Sequence, residues 1–131
     1  MKVYITREIP SIATELLQKE KITFEVYSKD KPIPRKVLLN GVSDVDGVIS
    51  LLTDPVDKKV IDAMKKCKVI ANYAAGYDNI DVNYAKEKGI IVTNTPDVLT
   101  DSTADIAMLL ILNCARRIKD SIKYLYDGKF K

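Results

Sequence analysis

The sequence predicts an α/β fold with five parallel strands in one sheet. Short β-branched runs alternate with amphipathic segments of helical period over the first hundred residues, which indicates βαβ units. Residues 47–52 are apolar almost without interruption, as is typical of a central strand covered on both faces. The chain has 131 residues, 47% of them hydrophobic, which suits one domain with a core. Right-handed crossovers then favour the flavodoxin-like order 2-1-3-4-5, with helices on both faces.

The five strands are short and differ in pattern. The second alternates apolar and polar residues, so we expect it at a half-buried edge of the sheet. The third is nearly all apolar, and the others are β-branched runs. The predicted strands are, in order, residues 3–5, 22–27, 47–52, 69–71 and 90–93.

Helix boundaries are predicted from local chemistry. Pro10 and Pro34 suit the first turns of the first two helices, where a missing N–H costs nothing. Asp57 and Asp81 can cap the third and fourth helices, because an aspartate side chain accepts hydrogen bonds from free amides there. Gly89 closes the fourth helix.

A last helix is predicted from residue 100 to 127, with several possible side-chain caps at its start and Gly128 after its end. Residues 104–115 are apolar nearly all round, so this half must be buried on all sides. One small sheet covers only one side of a helix. The sequence therefore predicts a further partner for this helix: another domain, another chain, or both. It also predicts self-association through residues 104–118.

Composition excludes several classes of protein. The 21 basic and 18 acidic residues give a net charge of +3 without clustering, so we expect neither a nucleic-acid nor a membrane partner. The chain enters a strand directly, without a signal-peptide pattern, and a cytoplasmic location is expected. Cys67 and Cys114 are far apart in apolar surroundings and are predicted to be buried free thiols. Histidine is absent, so this chain cannot supply a histidine acid, base or metal ligand.

Two loops carry the candidate chemistry. Residues 51–54 and 74–78 follow the third and fourth strands, and the carboxyl ends of neighbouring parallel strands form the ligand edge of such sheets. Gly76 allows a tight turn whose amides could hold a small carboxylate. Leu52 would form an apolar wall. A simple turn glycine and a core leucine are the commoner explanations of this pattern.

Other ligand sites find little support. Asp54, Asp57, Asp78 and Asp81 do not have the spacing of metal ligands, and two of them are better explained as helix caps. The five glycines cannot form G-x-G-x-x-G or a phosphate-binding loop, so the chain has no dinucleotide-binding motif of its own. No metal site is predicted.

Three segments closely resemble the D-isomer-specific 2-hydroxyacid dehydrogenases, in particular the glyoxylate/hydroxypyruvate reductases. They are NYAAGYDNID at 72–81, GIIVTNTPDVLT at 89–100 and STAD at 102–105. Members have a substrate-binding domain split in sequence around a Rossmann NAD(P) domain, with long helices crossing between the two, and they form homodimers. The resemblance implies that residues 1–99 are the N-terminal portion of the substrate domain and 100–128 a long crossing helix. The Rossmann domain is then absent, as in a truncated chain.

The resemblance also implies roles for four residues. The backbone amides of Ala75 and Gly76 would hold the substrate carboxylate, and Leu52 would line the pocket. Ala75 replaces the usual valine and could enlarge that pocket. Thr103 would approach the nicotinamide end of the cofactor and its phosphate. A simple N-cap is the plainer explanation of this residue, and both roles can hold together. The family's catalytic Arg, Glu and His would all lie beyond this chain, so no catalytic residue is predicted here.

The sequence thus predicts the substrate-binding portion of an NAD(P)-dependent dehydrogenase that reduces small 2-oxo acids such as glyoxylate or hydroxypyruvate. NAD or NADP would serve the complete enzyme, and none is expected to bind this chain alone, which would be inactive. The alternative is a free-standing flavodoxin-like module that binds small carboxylates, or half of a split enzyme completed by a separate Rossmann chain.

Overall fold

The structure, a computed structural model, describes residues 1–130 and falls into two compact units. The first, Met1–Pro96, holds the sheet and four helices; the second begins at Asp97 and holds two more helices. The elements are β1 (Lys2–Ile5), α1 (Ser11–Lys19), β2 (Thr23–Val26), α2 (Arg35–Gly41), β3 (Gly47–Leu51), α3 (Lys58–Ala63), β4 (Val69–Tyr73), α4 (Val82–Glu87), β5 (Ile91–Thr93), α5 (Thr100–Ala115) and α6 (Ile118–Tyr126).

The predicted sheet is confirmed: five parallel strands in the order β2-β1-β3-β4-β5. In this order the chain moves one way from β1 to β2 and the other way afterwards. Right-handed crossovers therefore place α1 on one face and α2, α3 and α4 on the other. Four residues that are paired from strand to strand form a row across the sheet on the side of the core: Tyr4, Val48, Ile70 and Val92.

The predicted helix caps of the first unit are confirmed. The Asp57 carboxylate accepts a hydrogen bond from the Val60 N–H at 3.1 Å, and Asp81 accepts one from Tyr84 N–H at 3.0 Å. Gly89, just after α4, has a φ of +72°. This left-handed conformation is common directly after a helix, and the residue that adopts it is usually glycine. These signals succeed because each depends on only a few neighbouring residues.

The prediction of one unbroken helix over 100–127 is wrong. α5 ends at Ala115, Arg117 takes a left-handed φ of +51°, and α6 begins at Ile118. The break follows no glycine or proline, so the sequence carries no local signal for it. A side-chain cap at the start of α5 is also absent among the described residues, because Leu99 occupies the N-cap position and the Ser102 hydroxyl donates to its carbonyl at 3.1 Å.

The apolar helix α5 contains no buried residue. Its apolar side chains are each more than half exposed: Ile106, Met108, Leu109, Leu110, Ile111 and Leu112. Cys114 is exposed as well, so its predicted burial is wrong. Cys67 is buried as predicted, and burial raises the pKa of its thiol. No helix in residues 1–130 is long and apolar enough to cross a membrane.

Candidate functional site

The candidate site lies where β3 and β4 end. Leu51 of β3 pairs with Tyr73 of β4, so Leu52 and Ala74 follow on neighbouring strands, and the predicted adjacency of the two loops is confirmed. Leu52 is 57% exposed, which excludes the explanation that it is a core residue. Tyr73 and Tyr77 are both 52% exposed, and sequence reasoning missed this additional apolar surface.

The turn after β4, which we call the amide turn (residues 74–77), is held by its carbonyl groups. Three consecutive carbonyls accept hydrogen bonds from groups elsewhere in the first unit. The bonds are Thr95 N–H to Ala74 O (2.9 Å), Asn94 Nδ2 to Ala75 O (2.7 Å) and Asn72 Nδ2 to Gly76 O (2.9 Å). The fold therefore fixes the orientation of three peptide groups in a row.

Fixed carbonyls also fix the amides that follow them. In a planar trans peptide the N–H points opposite to the preceding C=O, and the described chain has no cis bond. The N–H groups of Ala75, Gly76 and Tyr77 thus point away from the groups that hold the turn. Within residues 1–130 none of the three donates a hydrogen bond. Adjacent unpaired amides of this kind form a concavity suited to an anion.

Gly76 is not required by the shape of the turn. Its φ lies outside the left-handed region, and a Cβ built on it would meet no heavy atom of the described chain within 4 Å. Neither backbone strain nor packing in the first unit explains the glycine. Close approach of a ligand to the backbone remains a physical reason for its presence.

A buried polar network, which we call the asparagine network (Ser50, Asn72 and Asn79), supports both loops. The Ser50 hydroxyl donates to Asn72 Oδ1 at 2.9 Å, and Asn72 Nδ2 donates to Asn79 Oδ1 at 3.0 Å. Asn79 Nδ2 donates to the carbonyls of Leu51 (3.1 Å) and Asp54 (3.0 Å). Sequence reasoning missed this network, although the two asparagines that flank the amide turn were a visible signal.

Three acidic residues near the site, Asp54, Asp57 and Asp81, have structural partners. Asp54 is fully buried and accepts hydrogen bonds from the Thr6 hydroxyl and, at 2.9 Å, from the Leu51 N–H. Asp57 and Asp81 cap helices. Across the described residues, no three His, Cys, Asp or Glu side chains are grouped so that they could hold a metal ion.

Thr103 lies in the second unit, in the first turn of α5. Its backbone N–H donates to the Leu99 carbonyl at 3.0 Å, and its exposed side chain makes no hydrogen bond within residues 1–130. The N-cap explanation for Thr103 is therefore wrong, because Leu99 holds that position. A contact with a cofactor stays a prediction.

These features define a class: a flavodoxin-like α/β domain with a rigid, donor-rich turn at the ligand edge of its sheet. Comparison with known sequences assigns the family. The family model for the D-isomer specific 2-hydroxyacid dehydrogenase catalytic domain matches residues 3–124, and the chain belongs to this family.

Individual relatives agree with this assignment. The chain is 45% identical to a glyoxylate reductase of Pyrococcus horikoshii and 48% identical to one of Thermococcus kodakarensis, each over 130 residues. These matches cover 99% of this chain and 39% of either relative, so the chain spans about two fifths of their length. A crystal structure of a Thermus thermophilus protein superimposes with a TM-score of 0.86 at 39% identity, covering 100% of this chain and 42% of that one.

Proposed function

We propose that this chain is the substrate-binding portion of a D-2-hydroxyacid dehydrogenase that acts on small 2-oxo acids of the glyoxylate or hydroxypyruvate type. The amide turn would hold the substrate carboxylate through the N–H groups of Ala75 and Gly76. Two observations together carry the proposal: three consecutive carbonyls of the turn are fixed by hydrogen bonds, and the N–H groups that follow them donate no hydrogen bond within residues 1–130. Hydrogen bonds from preset amides to a carboxylate are charge-assisted and stronger than neutral ones.

The apolar side of the substrate would face Leu52. This side chain follows β3, beside the amide turn, and is more than half exposed, so it is available to a ligand. Ala75 has a small side chain, which leaves more room beside the carboxylate than a valine would. These two residues would limit the size of the 2-oxo acid, while the amides would select for its charge.

The organisation of the complete enzyme is also part of the proposal. Residues 1–99 would form the N-terminal portion of the substrate domain and residues 100–128 the interdomain segment. A Rossmann domain outside this chain would bind NAD or NADP, which supplies the hydride. Thr103 fits one contact with the cofactor phosphate, since its hydroxyl is exposed and has no partner within residues 1–130. The neighbouring Asp101 works against such a contact by like-charge repulsion.

Binding of oxamate, an unreactive analogue of a 2-oxo acid, tests the carboxylate site. In ¹H–¹⁵N spectra of the 131-residue chain, oxamate should shift the Ala75 and Gly76 amide signals, with a Kd on the order of millimolar for so few contacts. Oxamide has nearly the same shape without the charge and should leave both signals in place. Unchanged Ala75 and Gly76 signals at saturating oxamate would refute the proposed site.

Activity of the isolated chain tests the proposal that this chain binds the substrate whereas a Rossmann domain outside it binds the cofactor. We expect no NADH-dependent reduction of glyoxylate by the pure chain, because its sequence holds neither a histidine to supply the proton nor a dinucleotide-binding motif. Measured turnover that co-purifies with the chain would overturn this expectation.

The uncovered α5 favours a second candidate, half of a split enzyme. Turnover that appears only on addition of a separate Rossmann chain would support it.

A further inference from the structure

The geometry of the amide turn points to two residues beyond those that would touch the substrate. We propose that Asn94 and Asn72 are positioning residues. The Asn94 side-chain amide holds the Ala75 carbonyl and so aims the Gly76 N–H at the carboxylate, and the Asn72 side-chain amide holds the Gly76 carbonyl and so fixes the far end of the turn. The inference rests on the proposed function of the amide turn.

Asn94 is well placed for this role. It follows β5 directly, and β5 pairs with β4 through Thr93 and Ala71, so its side chain can cross to the turn that follows β4. Its Nδ2 lies 2.7 Å from Ala75 O. The same segment also holds the preceding carbonyl, but through the backbone of Thr95. Loss of the Asn94 side chain therefore frees one peptide group, the one that carries the Gly76 N–H.

Asn72 provides the rigid base of the arrangement. It is 2% exposed, its Nδ2 donates to Gly76 O and to Asn79 Oδ1, and its Oδ1 accepts from Ser50. A buried amide with both donors and its acceptor in use is costly to move. Through Asn79 the same network also holds the loop that bears Leu52. The far end of the amide turn and the loop that bears the apolar wall thus share one support.

Such support would act by preorganisation. Amides already aimed at the ligand need no reordering on binding, and this saving appears as affinity. Without the Asn94 donor, the peptide between Ala75 and Gly76 can rotate, and its N–H can turn away from the carboxylate. The Ala75 N–H should keep its direction, because the Thr95 N–H still holds Ala74 O.

The test compares oxamate titrations of the wild-type chain, Asn94→Ala and Asn94→Leu in ¹H–¹⁵N spectra. Both variants remove the donor without adding charge. We expect binding about five- to tenfold weaker, which is part of the value of one charge-assisted hydrogen bond. The oxamate-induced shift of Gly76 should fall much more than that of Ala75. Asn83→Ala is the matched control, since Asn83 is exposed on α4 and should leave binding unchanged.

Thermal unfolding separates positioning from stability. Asn94 is only partly buried, so its variants should unfold close to the wild-type temperature. Asn72→Asp replaces a buried donor and should weaken oxamate binding and also lower the unfolding temperature. The test therefore uses Asn94, whose variants separate the two effects. Wild-type affinity for oxamate in Asn94→Ala would overturn the inference and leave the proposed site intact. An equal fall of the oxamate-induced shifts of Ala75 and Gly76 would have the same meaning. No binding by the wild-type chain would overturn both.

Discussion

At the scale of single residues, Asp57 combines two stabilising contacts. Its carboxylate caps α3 and also pairs with the Arg35 guanidinium, with both side chains partly exposed. Asp57→Ala removes both the cap and the ion pair and should lower the free energy of unfolding by about 1–2 kcal/mol. Asp57→Asn keeps a capping oxygen and loses only the exposed ion pair, so it should cost less, about 0.2–1 kcal/mol. Urea unfolding near neutral pH measures both; equal losses would mean that the cap contributes nothing.

The same residue gives a pH dependence of known sign. Hydrogen bonds from Arg35 hold the pKa of the Asp57 carboxyl below its ordinary value of 3.8. A lowered pKa in the folded state means that the contribution is complete above pH 3.8 and disappears as the pH falls through the folded-state pKa. The stability difference between wild type and Asp57→Asn should therefore shrink below pH 3.8. A difference that stays constant into this range would contradict the assigned ion pair.

At the scale of elements, the contact of α2 with β1 depends on a glycine. α2 ends at Gly41, and a Cβ there would overlap the ring of the buried Tyr4. Gly41→Ala should lower the free energy of unfolding by about 1–3 kcal/mol through overpacking. Gly76→Ala is the control, since its Cβ meets only open space and stability should be unchanged. Chemical unfolding of both variants measures the contrast, and similar losses would refute this assignment of roles.

Elements were predictable where their signals are local. The strands follow from β-branched runs, and the caps Asp57 and Asp81 from side chains close to the helix start. The break between α5 and α6 was not predictable, because the residue that adopts a φ of +51° is an arginine and no glycine or proline indicates the break. At the break the Arg117 N–H donates to the Cys114 carbonyl at 3.2 Å.

The candidate site shows the same division. The adjacency of its two loops was predictable, because parallel strands end at one edge and the loops carrying Leu52 and Gly76 follow neighbouring strands. The asparagine network was not, since it joins side chains whose proximity depends on strand register and on the path of the turn. The sequence therefore predicts where a ligand would bind, whereas the fixed orientation of the amides becomes visible only in three dimensions.

At the scale of the whole molecule, the two units differ in how far their apolar side chains are buried. The first unit buries a large cluster of aliphatic side chains between the sheet and α2–α4. In the second, residues 108–112 are consecutive apolar residues on α5, and each is more than half exposed. Consecutive helical residues point to all sides, so a single flat partner cannot cover them all. Exposed apolar surface of this kind marks an interaction site.

We therefore expect the chain to self-associate through α5. Sedimentation equilibrium should show association that increases with concentration, because each copy can cover part of the other's apolar surface. Leu109→Glu combined with Leu112→Glu should shift the chain towards monomer, since burying two unpaired carboxylates opposes association. Leu16→Glu on α1, where the leucine is similarly exposed, should leave association unchanged. A monodisperse wild-type monomer at high concentration, or equal effects of the α1 and α5 variants, would show that α5 is not the contact surface.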